Sequence, residues 1–353
     1  MRRLLSLALL GLGLAACQRP DPSSRRAVWQ PTAYGSPVLT GFSETRFASV
    51  QVGWIIGGYA ADLSRYNALL NTRDGGATWT RQNLSPLTLN GFLSLAPVSE
   101  QVVLALGVDP VAAAPGAPSN PADSRAVYKS TNGGTTWQQL HGAGFLGSFH
   151  LHFFTENTGL SLKNQRIQRT TDGAGSWSTV LDSKDTGDWN LLQFPGGSVG
   201  YAAGGGVWYG IAGGGAISRG ALAKTSDQGA TWEVLPWNKQ FISSLSFVSA
   251  SVGFAATFPD HQLYKTQDGG FTWVLVNAQI PAVSNGKFLT EAEGYFTEGA
   301  AIYATSDGGL TWQQEYQVTP NSQYPATINS LTFPTLAAGF AVTADGQVIK
   351  GTR

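Results

Sequence analysis

The sequence predicts an all-β fold, a seven-bladed β-propeller of four-stranded antiparallel blades. Two observations predict it: a tight-turn motif recurs six times along the chain, and a Gly-aromatic pair that begins a predicted strand recurs, with variations, in seven units. The segments between them are short, rich in Val, Leu, Phe and Thr, and bounded by Gly, Asn and Asp, as expected for strands. Repeated units of four short strands are typical of propeller blades.

The turn motif is an Asp, or once an Asn, followed five positions later by a Trp. Six segments carry it: TRDGGATW from Thr72, STNGGTTW from Ser130, TTDGAGSW from Thr170, TSDQGATW from Thr225, TQDGGFTW from Thr266 and TSDGGLTW from Thr305. The carboxylate is expected to accept backbone N–H groups across the turn, while Gly supplies a positive φ and Trp packs inward. The predicted structural residues are Asp74, Asn132, Asp172, Asp227, Asp268, Asp307, Trp79, Trp137, Trp177, Trp232, Trp273 and Trp312.

The Gly-aromatic pairs precede the turns and number one more than the turns do. They are Gly53-Trp54, Gly200-Tyr201, Gly253-Phe254, Gly294-Tyr295 and Gly339-Phe340, with Gly159-Leu160 as a weaker copy and Gln101-Val102 in the same place in the second unit. A six-bladed propeller is the alternative architecture. It would leave the seventh pair unexplained, so seven blades are predicted.

The two ends of the chain are predicted to close the propeller together. The last unit supplies three strands and ends at Arg353, where a fourth strand is still missing. Near the other end, Val28-Trp29-Gln30 matches the Thr-Trp-Gln segments that follow two of the turns. We therefore predict that Trp29 and its neighbours pair with residues 347–351, because closure removes an exposed strand edge.

Two units carry insertions between their second and third strands. Successive turn positions are 58 and 55 residues apart across units two and four, against 39 to 41 elsewhere. The surplus corresponds to residues 107–124 and to the glycine-rich residues 204–220. Both insertions are expected on the face opposite the turns, and insertions on one face often mark a binding face.

The N-terminus predicts a lipoprotein. Arg2 and Arg3 precede an apolar run from Leu4 to Leu14 that is too short to span a bilayer, and Ala15-Ala16-Cys17 follows. This segment resembles a bacterial lipobox, with residues 1–16 as the signal peptide and Cys17 as the lipid attachment site. An ordinary signal peptide with a chance cysteine is the alternative. Residues 17–26 then form a flexible tether and residues 27–353 a single propeller domain.

The location and partners expected from the sequence follow from this N-terminus and from the charge. Gln18, rather than an Asp, follows the cysteine, so we expect a lipid anchor at the outer membrane or cell surface. The chain has 22 basic and 22 acidic residues and only 12% charged residues. Such a neutral surface gives no reason to expect nucleic acid as a partner. We expect a monomer that binds an unknown protein or glycan.

The turns and pairs together resemble the Asp-box, or BNR-repeat, propellers related to the photosystem II stability and assembly factor. The resemblance covers essentially the whole predicted mature chain. It implies a non-enzymatic scaffold or assembly role outside the cytoplasm. We therefore expect a binding protein rather than an enzyme, and no cofactor.

A glycan-active enzyme, similar to sialidases or xyloglucanases, is the alternative function. The Arg-Ile-Pro landmark of sialidases is missing, since the nearest string is Arg166-Ile167-Gln168. A glycosidase needs two carboxylates at a set separation, and no spacing in the sequence singles out a pair.

No metal site is expected in the turns or elsewhere. Each turn carries one carboxylate, whereas a calcium loop needs several oxygen ligands. His150 and His152 alternate along one strand and could share a metal, but a third ligand is not apparent in the sequence.

Four aromatic residues outside the motifs define a candidate ligand or partner face. Trp189, Trp208, Tyr209 and Trp237 fall in blade connections or in the insertion of unit four, on the insertion-bearing side. Aromatic side chains gathered on one face would suit a sugar or a protein partner. The alternative is that they cap the propeller or pack the inserted segment.

Overall fold

The computed structural model describes residues 26–353 except 34–38, 60–65, 86, 88–90, 109–124, 141–144, 146–149, 184–186, 209–216 and 322–324. The predicted signal peptide, Cys17, residues 17–25 of the tether and Tyr209 lie outside these residues, as does the side chain of Trp208. Among the residues that are described, none belongs to a helix long and apolar enough to cross a membrane.

The described chain forms seven four-stranded antiparallel sheets, which are the blades. An N-terminal strand, β1 (Val28–Thr32), comes first. The blades then follow in chain order: blade one, β2 (Thr40–Phe47), β3 (Gly53–Tyr59), β4 (Tyr66–Thr72), β5 (Thr80–Arg81); blade two, β6 (Phe92–Pro97), β7 (Val103–Val108), β8 (Arg125–Ser130), β9 (Gln138–Leu140); blade three, β10 (His150–Phe153), β11 (Gly159–Lys163), β12 (Arg166–Thr170), β13 (Ser178–Asp182); blade four, β14 (Asp188–Gly196), β15 (Val199–Trp208), β16 (Ile217–Thr225), β17 (Glu233–Val234); blade five, β18 (Phe241–Phe247), β19 (Gly253–Phe258), β20 (Leu263–Thr266), β21 (Val274–Asn277); blade six, β22 (Ser284–Phe288), β23 (Gly294–Glu298), β24 (Ala301–Thr305), β25 (Gln313–Gln317); blade seven, β26 (Ile328–Thr335), β27 (Ala338–Thr343), β28 (Val348–Thr352).

The blades form a closed propeller around a central axis. The first strand of every blade contacts the first strand of both neighbouring blades, so these seven strands are innermost and surround a central channel. The predicted seven-bladed propeller is therefore confirmed. A four-stranded blade cannot bury both of its faces alone, and stacking between two neighbours buries them.

The predicted closure by the N-terminus is also confirmed. β1 pairs antiparallel with β28 as the fourth strand of blade seven, with Trp29 opposite Gly351. The Trp29 side chain is 5% exposed and packs against Tyr295 of blade six and Phe333 of blade seven. A Cβ on Gly351 would stand 2.8 Å from the indole, so the absence of a side chain there makes room for Trp29.

The glycine of the Gly-aromatic pair has a steric role. In blade three, Phe153 ends the first strand opposite Gly159, which begins the second, and a Cβ on Gly159 would stand 2.6 Å from the phenyl ring. The same arrangement pairs Phe47 with Gly53. Glycine is therefore required wherever a phenylalanine ends the first strand.

In the second unit, the prediction that Gln101-Val102 takes the place of this pair is wrong. Val103 pairs with Pro97 and Ser130 in the register that Gly159 has in blade three, so the equivalent pair is Val103-Leu104. The physical reason is that Pro97 replaces the phenylalanine. Without a ring lying over this position, a valine side chain is accommodated.

The residue after the glycine connects one blade to the next. The indole of Trp54 in blade one donates to the carbonyl oxygen of Gly133 in blade two at 3.1 Å. The phenol of Tyr201 in blade four donates to the carbonyl oxygen of Ala250 in blade five at 2.6 Å. Each large side chain therefore lies beneath a loop of the following blade, which explains why the motif repeats with the blade.

The loops lie on two opposite faces of the propeller. We use the name repeat turns for residues 74–79, 132–137, 172–177, 227–232, 268–273 and 307–312, and their side of the propeller is the repeat-turn face. The loops between first and second strands lie on the same face. In blade one, Gly75 N of the repeat turn donates to Gln51 O of this loop at 2.9 Å. The opposite side, the insertion face, holds the connections between second and third strands and between blades. The insertion of blade four partly lengthens its hairpin, with Trp208 paired to Ile217.

Candidate functional site

The repeat turns are closed by their own Asp or Asn side chains. In the first turn, Asp74 accepts hydrogen bonds from Thr78 N at 2.9 Å, from Thr78 Oγ1 at 2.6 Å and from Thr72 Oγ1 at 2.8 Å. The hydroxyl of Thr72 in turn accepts from Gly76 N at 2.8 Å. Both carboxylate oxygens are therefore engaged inside the turn.

These hydrogen bonds stabilise the ionised carboxylates. The side-chain hydrogen bond from Thr78, followed by its backbone N–H, lowers the pKa of Asp74 to about 2. The hydroxyl and then the backbone N–H of Ser176 lower the pKa of Asp172 to about 2. At Asp227 and Asp268 burial raises the pKa, but the equivalent hydrogen bonds outweigh it and bring both to about 2. These carboxylates thus stabilise the turns in which they stand.

The tryptophans of the repeat turns pack into the clusters between blades. Trp79 and Trp177 are buried, and the other four are partly buried. The indoles of Trp137, Trp273 and Trp312 donate to the carbonyl oxygen three residues earlier, at 2.9 to 3.1 Å. These three indoles therefore close their own turns and also fill the blade interfaces.

Trp189 and Trp237, the two residues of the candidate ligand face whose side chains the structure describes, lie in different blade interfaces. Trp189 is 0% exposed, and its indole donates to Gln165 O at 3.1 Å in the core between blades three and four. Trp237 is partly buried between blades four and five, where it donates to Gln240 O at 2.9 Å and meets Trp273 edge-on. Both indoles thus have packing roles. Contacts of Trp208 and Tyr209 with a ligand stay a prediction.

The central channel is bounded by a belt of contacts between neighbouring first strands. In most blades, a polar side chain of the first strand bonds to the backbone of the next blade. The bonds are Leu95 N to Glu44 Oε2 (2.8 Å), Leu151 N to Ser94 Oγ (3.5 Å), Phe247 N to Gln193 Oε1 (2.7 Å), Phe288 N to Ser246 Oγ (2.8 Å), Asn285 Nδ2 to Ile328 O (3.3 Å) and Thr45 N to Ser330 Oγ (3.3 Å). Between blades three and four, the His152 imidazole stacks on Phe194 at 4.8 Å instead.

Ionisable side chains of three non-adjacent blades lie along this channel. Arg46 of blade one has 45% of its side chain exposed and pairs with Glu44 at 2.6 Å. Its charge lowers the pKa of His150 and His152 in blade three and of Lys287 in blade six. Blade one adjoins only blades two and seven, so these groups interact across the propeller axis.

Burial sets the charge state of the groups around Arg46. Burial, and then the charge of Arg46, lowers the pKa of His152 to about 4 and that of Lys287 to about 8. Burial is also the main cause of the lowered pKa of His150. Near neutral pH both imidazoles are therefore uncharged and Lys287 is mostly charged. Among the described first-strand residues near the repeat-turn end of the channel, the basic residues Arg46 and Lys287 outnumber the acidic residue Glu44 by one.

His152 is packed as an aromatic group. His152 contacts Phe194 face to face at 4.8 Å and Phe154 edge to face at 4.7 Å. The part of the chain that the structure describes contains no group of three or more His, Cys, Asp or Glu side chains that could hold a metal ion.

A second cleft lies between blades six and seven, with a volume of about 280 Å³. Arg353 donates to Glu293 at 3.1 Å and to the phenol of Tyr295 at 3.0 Å, and its guanidinium lies over the Tyr295 ring. Trp29 Nε1 donates to Glu315 Oε2 at 3.2 Å. Burial raises the pKa of Tyr295. Because these groups satisfy one another at the closure of the propeller, the cleft is best explained as a structural junction.

Sequence reasoning singled out His150 and His152 but neither Arg46 nor Lys287. Arg46, His152 and Lys287 each stand directly before the phenylalanine that ends a first strand. Among the described first strands, the charged residues are Glu44, Arg46, Asp188 and Lys287. An ionisable residue in a predicted first strand was therefore the sequence feature that could have identified the channel.

Solved structures with the same fold come from proteins of different function. Neither a protein-family model nor a curated protein sequence matches the chain. The chain is similar to YCF48 bound to D1 peptide, with a TM-score of 0.64 and 18% identity over 93% of this chain and 97% of that chain. It is also similar to YCF48 from Cyanidioschyzon merolae, with a TM-score of 0.65 and 15% identity over 91% and 98% of the two chains.

A third similar structure is a catalytically inactive virginiamycin B lyase from Staphylococcus aureus with quinupristin. Its TM-score is 0.62, at 12% identity over 93% of this chain and 99% of that chain. At such identities the likeness shows the fold alone, which is that of the β-propellers. Because the same fold carries both a peptide-bound protein and a lyase, the function must be argued from side chains.

Proposed function

We propose that this chain is a lipid-anchored protein of the bacterial cell envelope whose propeller binds a protein partner in an assembly or scaffold role. The observation that carries the proposal is the charged central channel, where Arg46 and Lys287 hold the same strand position in the innermost strands of blades one and six. The similarity to YCF48 bound to D1 peptide supports a peptide or protein as the ligand. The six-copy Asp-box resemblance and the lipobox-like sequence before Cys17 support the envelope location.

Partner binding is favoured over catalysis by the state of the described carboxylates. Asp182 pairs with Arg166, Glu291 with Lys265, and Glu293 with Arg353. Each of these three carboxylates is therefore engaged by a cation instead of standing free to act as a general acid or base.

The test is site-directed photo-crosslinking in intact cells. A photoreactive amino acid is placed at Val50 on the repeat-turn face or at Phe258 on the insertion face, since both side chains are about half exposed, at 52% and 51%. We expect a discrete protein adduct from one face in the membrane fraction. The Cys17→Ala variant should partition into the aqueous phase, because it cannot carry the lipid.

Three results would contradict the proposal. Equal partitioning of wild type and Cys17→Ala would remove the lipid anchor. No adduct from either face would remove the protein partner. Turnover of a glycoside by the purified protein, abolished by changing one loop carboxylate, would establish the glycan-active alternative.

A further inference from the structure

Lys287 differs from the residues at the same strand position in blades four and five. It stands opposite Tyr295, in the register that Gln193 has opposite Tyr201 and Ser246 has opposite Phe254. Those two side chains accept an N–H from the next blade. A lysine ammonium has donors and no acceptor, so Lys287 cannot make that bond.

Lys287 also lacks any other partner in the described structure. Its ammonium makes no hydrogen bond or ion pair with a described residue, whereas Lys129 and Lys265 each pair with a glutamate. After burial, the charge of another cation, Arg46, is the further cause that lowers its pKa. Burying an unpaired cation beside a second one costs free energy, so the fold itself gives no reason for a lysine here.

We infer that Arg46 and Lys287 form an oxyanion site in the central channel, and that its ligand is a carboxylate of an acidic peptide. This inference rests on the proposed function, because it assumes a peptide or protein ligand. Both cations precede Phe47 and Phe288, which end their strands at the repeat-turn face, so the ligand enters from that face. An arginine fork and a lysine ammonium together can donate to both oxygens of a carboxylate.

The charge and shape of the channel favour a peptide carboxylate over phosphate. Arg46 and Lys287 carry two positive charges, and Glu44, which is 2.6 Å from Arg46, removes one of them. One excess positive charge matches a carboxylate, whereas phosphate carries nearly two negative charges near neutral pH. The partly buried Phe154 and Phe194 stand beside this level of the channel and offer an apolar surface to the rest of a peptide.

The experiment measures binding of two dye-labelled hexapeptides by fluorescence anisotropy. One peptide contains Asp and Glu, and the other has Asn and Gln in their place. We expect the full-length protein to bind the acidic peptide alone, and more weakly as the salt concentration rises. Lys287→Met and Arg46→Gln should each weaken binding by about tenfold or more, the scale of a lost charge-assisted hydrogen bond.

Matched controls separate the site from general charge. Lys265→Met removes a lysine from the same face but outside the channel, and Arg81→Gln removes an exposed arginine from the outer strand of blade one. Both should bind the peptide as wild type does. Lys287→Met should unfold at the same temperature as wild type or higher, because it removes an unpaired cation. Weak binding by this variant therefore cannot be attributed to loss of the fold.

The possible outcomes distinguish this inference from the proposed function. Peptide binding that is insensitive to both channel variants would overturn the channel site while leaving peptide binding intact. Inorganic phosphate that competes as well as the peptide would overturn the peptide carboxylate as the ligand. No binding of either anion to wild type would overturn the oxyanion site, whereas the cross-linking experiment decides the protein partner independently.

Discussion

At the residue scale, the repeat turns show how one side chain can fix a loop. Asn132 demonstrates which part of the Asp chemistry is essential. Its Oδ1 accepts from Thr136 N at 2.9 Å, and its Nδ2 donates to Thr136 Oγ1 at 2.8 Å. The turn therefore requires a side-chain acceptor at this position and does not require a charge.

This comparison leads to a prediction on acid stability. Because the folded pKa values of Asp74, Asp172, Asp227 and Asp268 are about 2, below the unfolded value near 3.9, these carboxylates stabilise the fold above about pH 4. That stabilisation is lost as the pH falls from about 4 through 2. A variant with Asn at all four positions should show a smaller loss in urea unfolding between pH 5 and pH 2. Identical pH profiles for wild type and variant would contradict the prediction.

At the scale of the strand, a glycine that begins a second strand stands opposite the residue that ends the first. Phe153 requires Gly159, whereas Pro97 tolerates Val103. The two positions are separated by a turn in the sequence but stand opposite each other across the hairpin. Their pairing is therefore a property of the two-stranded element.

We predict that Gly159→Ala lowers the free energy of unfolding by about 1–3 kcal/mol, the usual cost of overpacking. The added Cβ would stand 2.6 Å from the Phe153 ring. Gly196→Ala is the control, since no atom lies within 4 Å of a Cβ there. In urea unfolding, Phe153→Leu should recover part of the loss in the Gly159→Ala background. Additive effects of the two changes would show that the contact is not the cause.

At the scale of the whole molecule, β1 joins the two ends of the chain. It supplies the fourth strand of blade seven, and Trp29 fills the space between blades six and seven beside Tyr295 and Phe333. Its indole also donates to Glu315 of blade six. Closure thus depends on contacts that β1 makes with both blades.

Two truncations test the closure. Deleting residues 18–26 should leave the unfolding free energy nearly unchanged, because the deletion ends before β1 and the bond from Arg26 to Gln313 is exposed. Deleting residues 18–32 should lower it by about 3–5 kcal/mol, the scale of removing a buried tryptophan. Thermal melts of both proteins measure the difference. Equal melting temperatures would mean that β1 contributes nothing to the stability of the propeller.

The sequence by itself determined the repeat, the number of blades and the partner of the N-terminal strand. Each of these depends on local chemistry that recurs in the chain: the Asp or Asn that closes a turn, the Gly beside a Phe, and the Trp that starts an outer strand. The one displaced pair, Gln101-Val102, failed because Pro97 removed the steric reason for a glycine. Where the phenylalanine is absent, the sequence pattern does not show which residues pair across the hairpin.

Only the tertiary structure decided what the non-repeating residues do. The sequence grouped Trp189 and Trp237 on one face, but they belong to different blade interfaces, since burial depends on which blades meet. Conversely, Arg46 and Lys287 are far apart in the chain, yet both precede the phenylalanine that ends an innermost strand, and closure of seven blades brings these strands around one channel. Periodicity encodes the blade, whereas the contents of the channel follow from the geometry of the closed propeller.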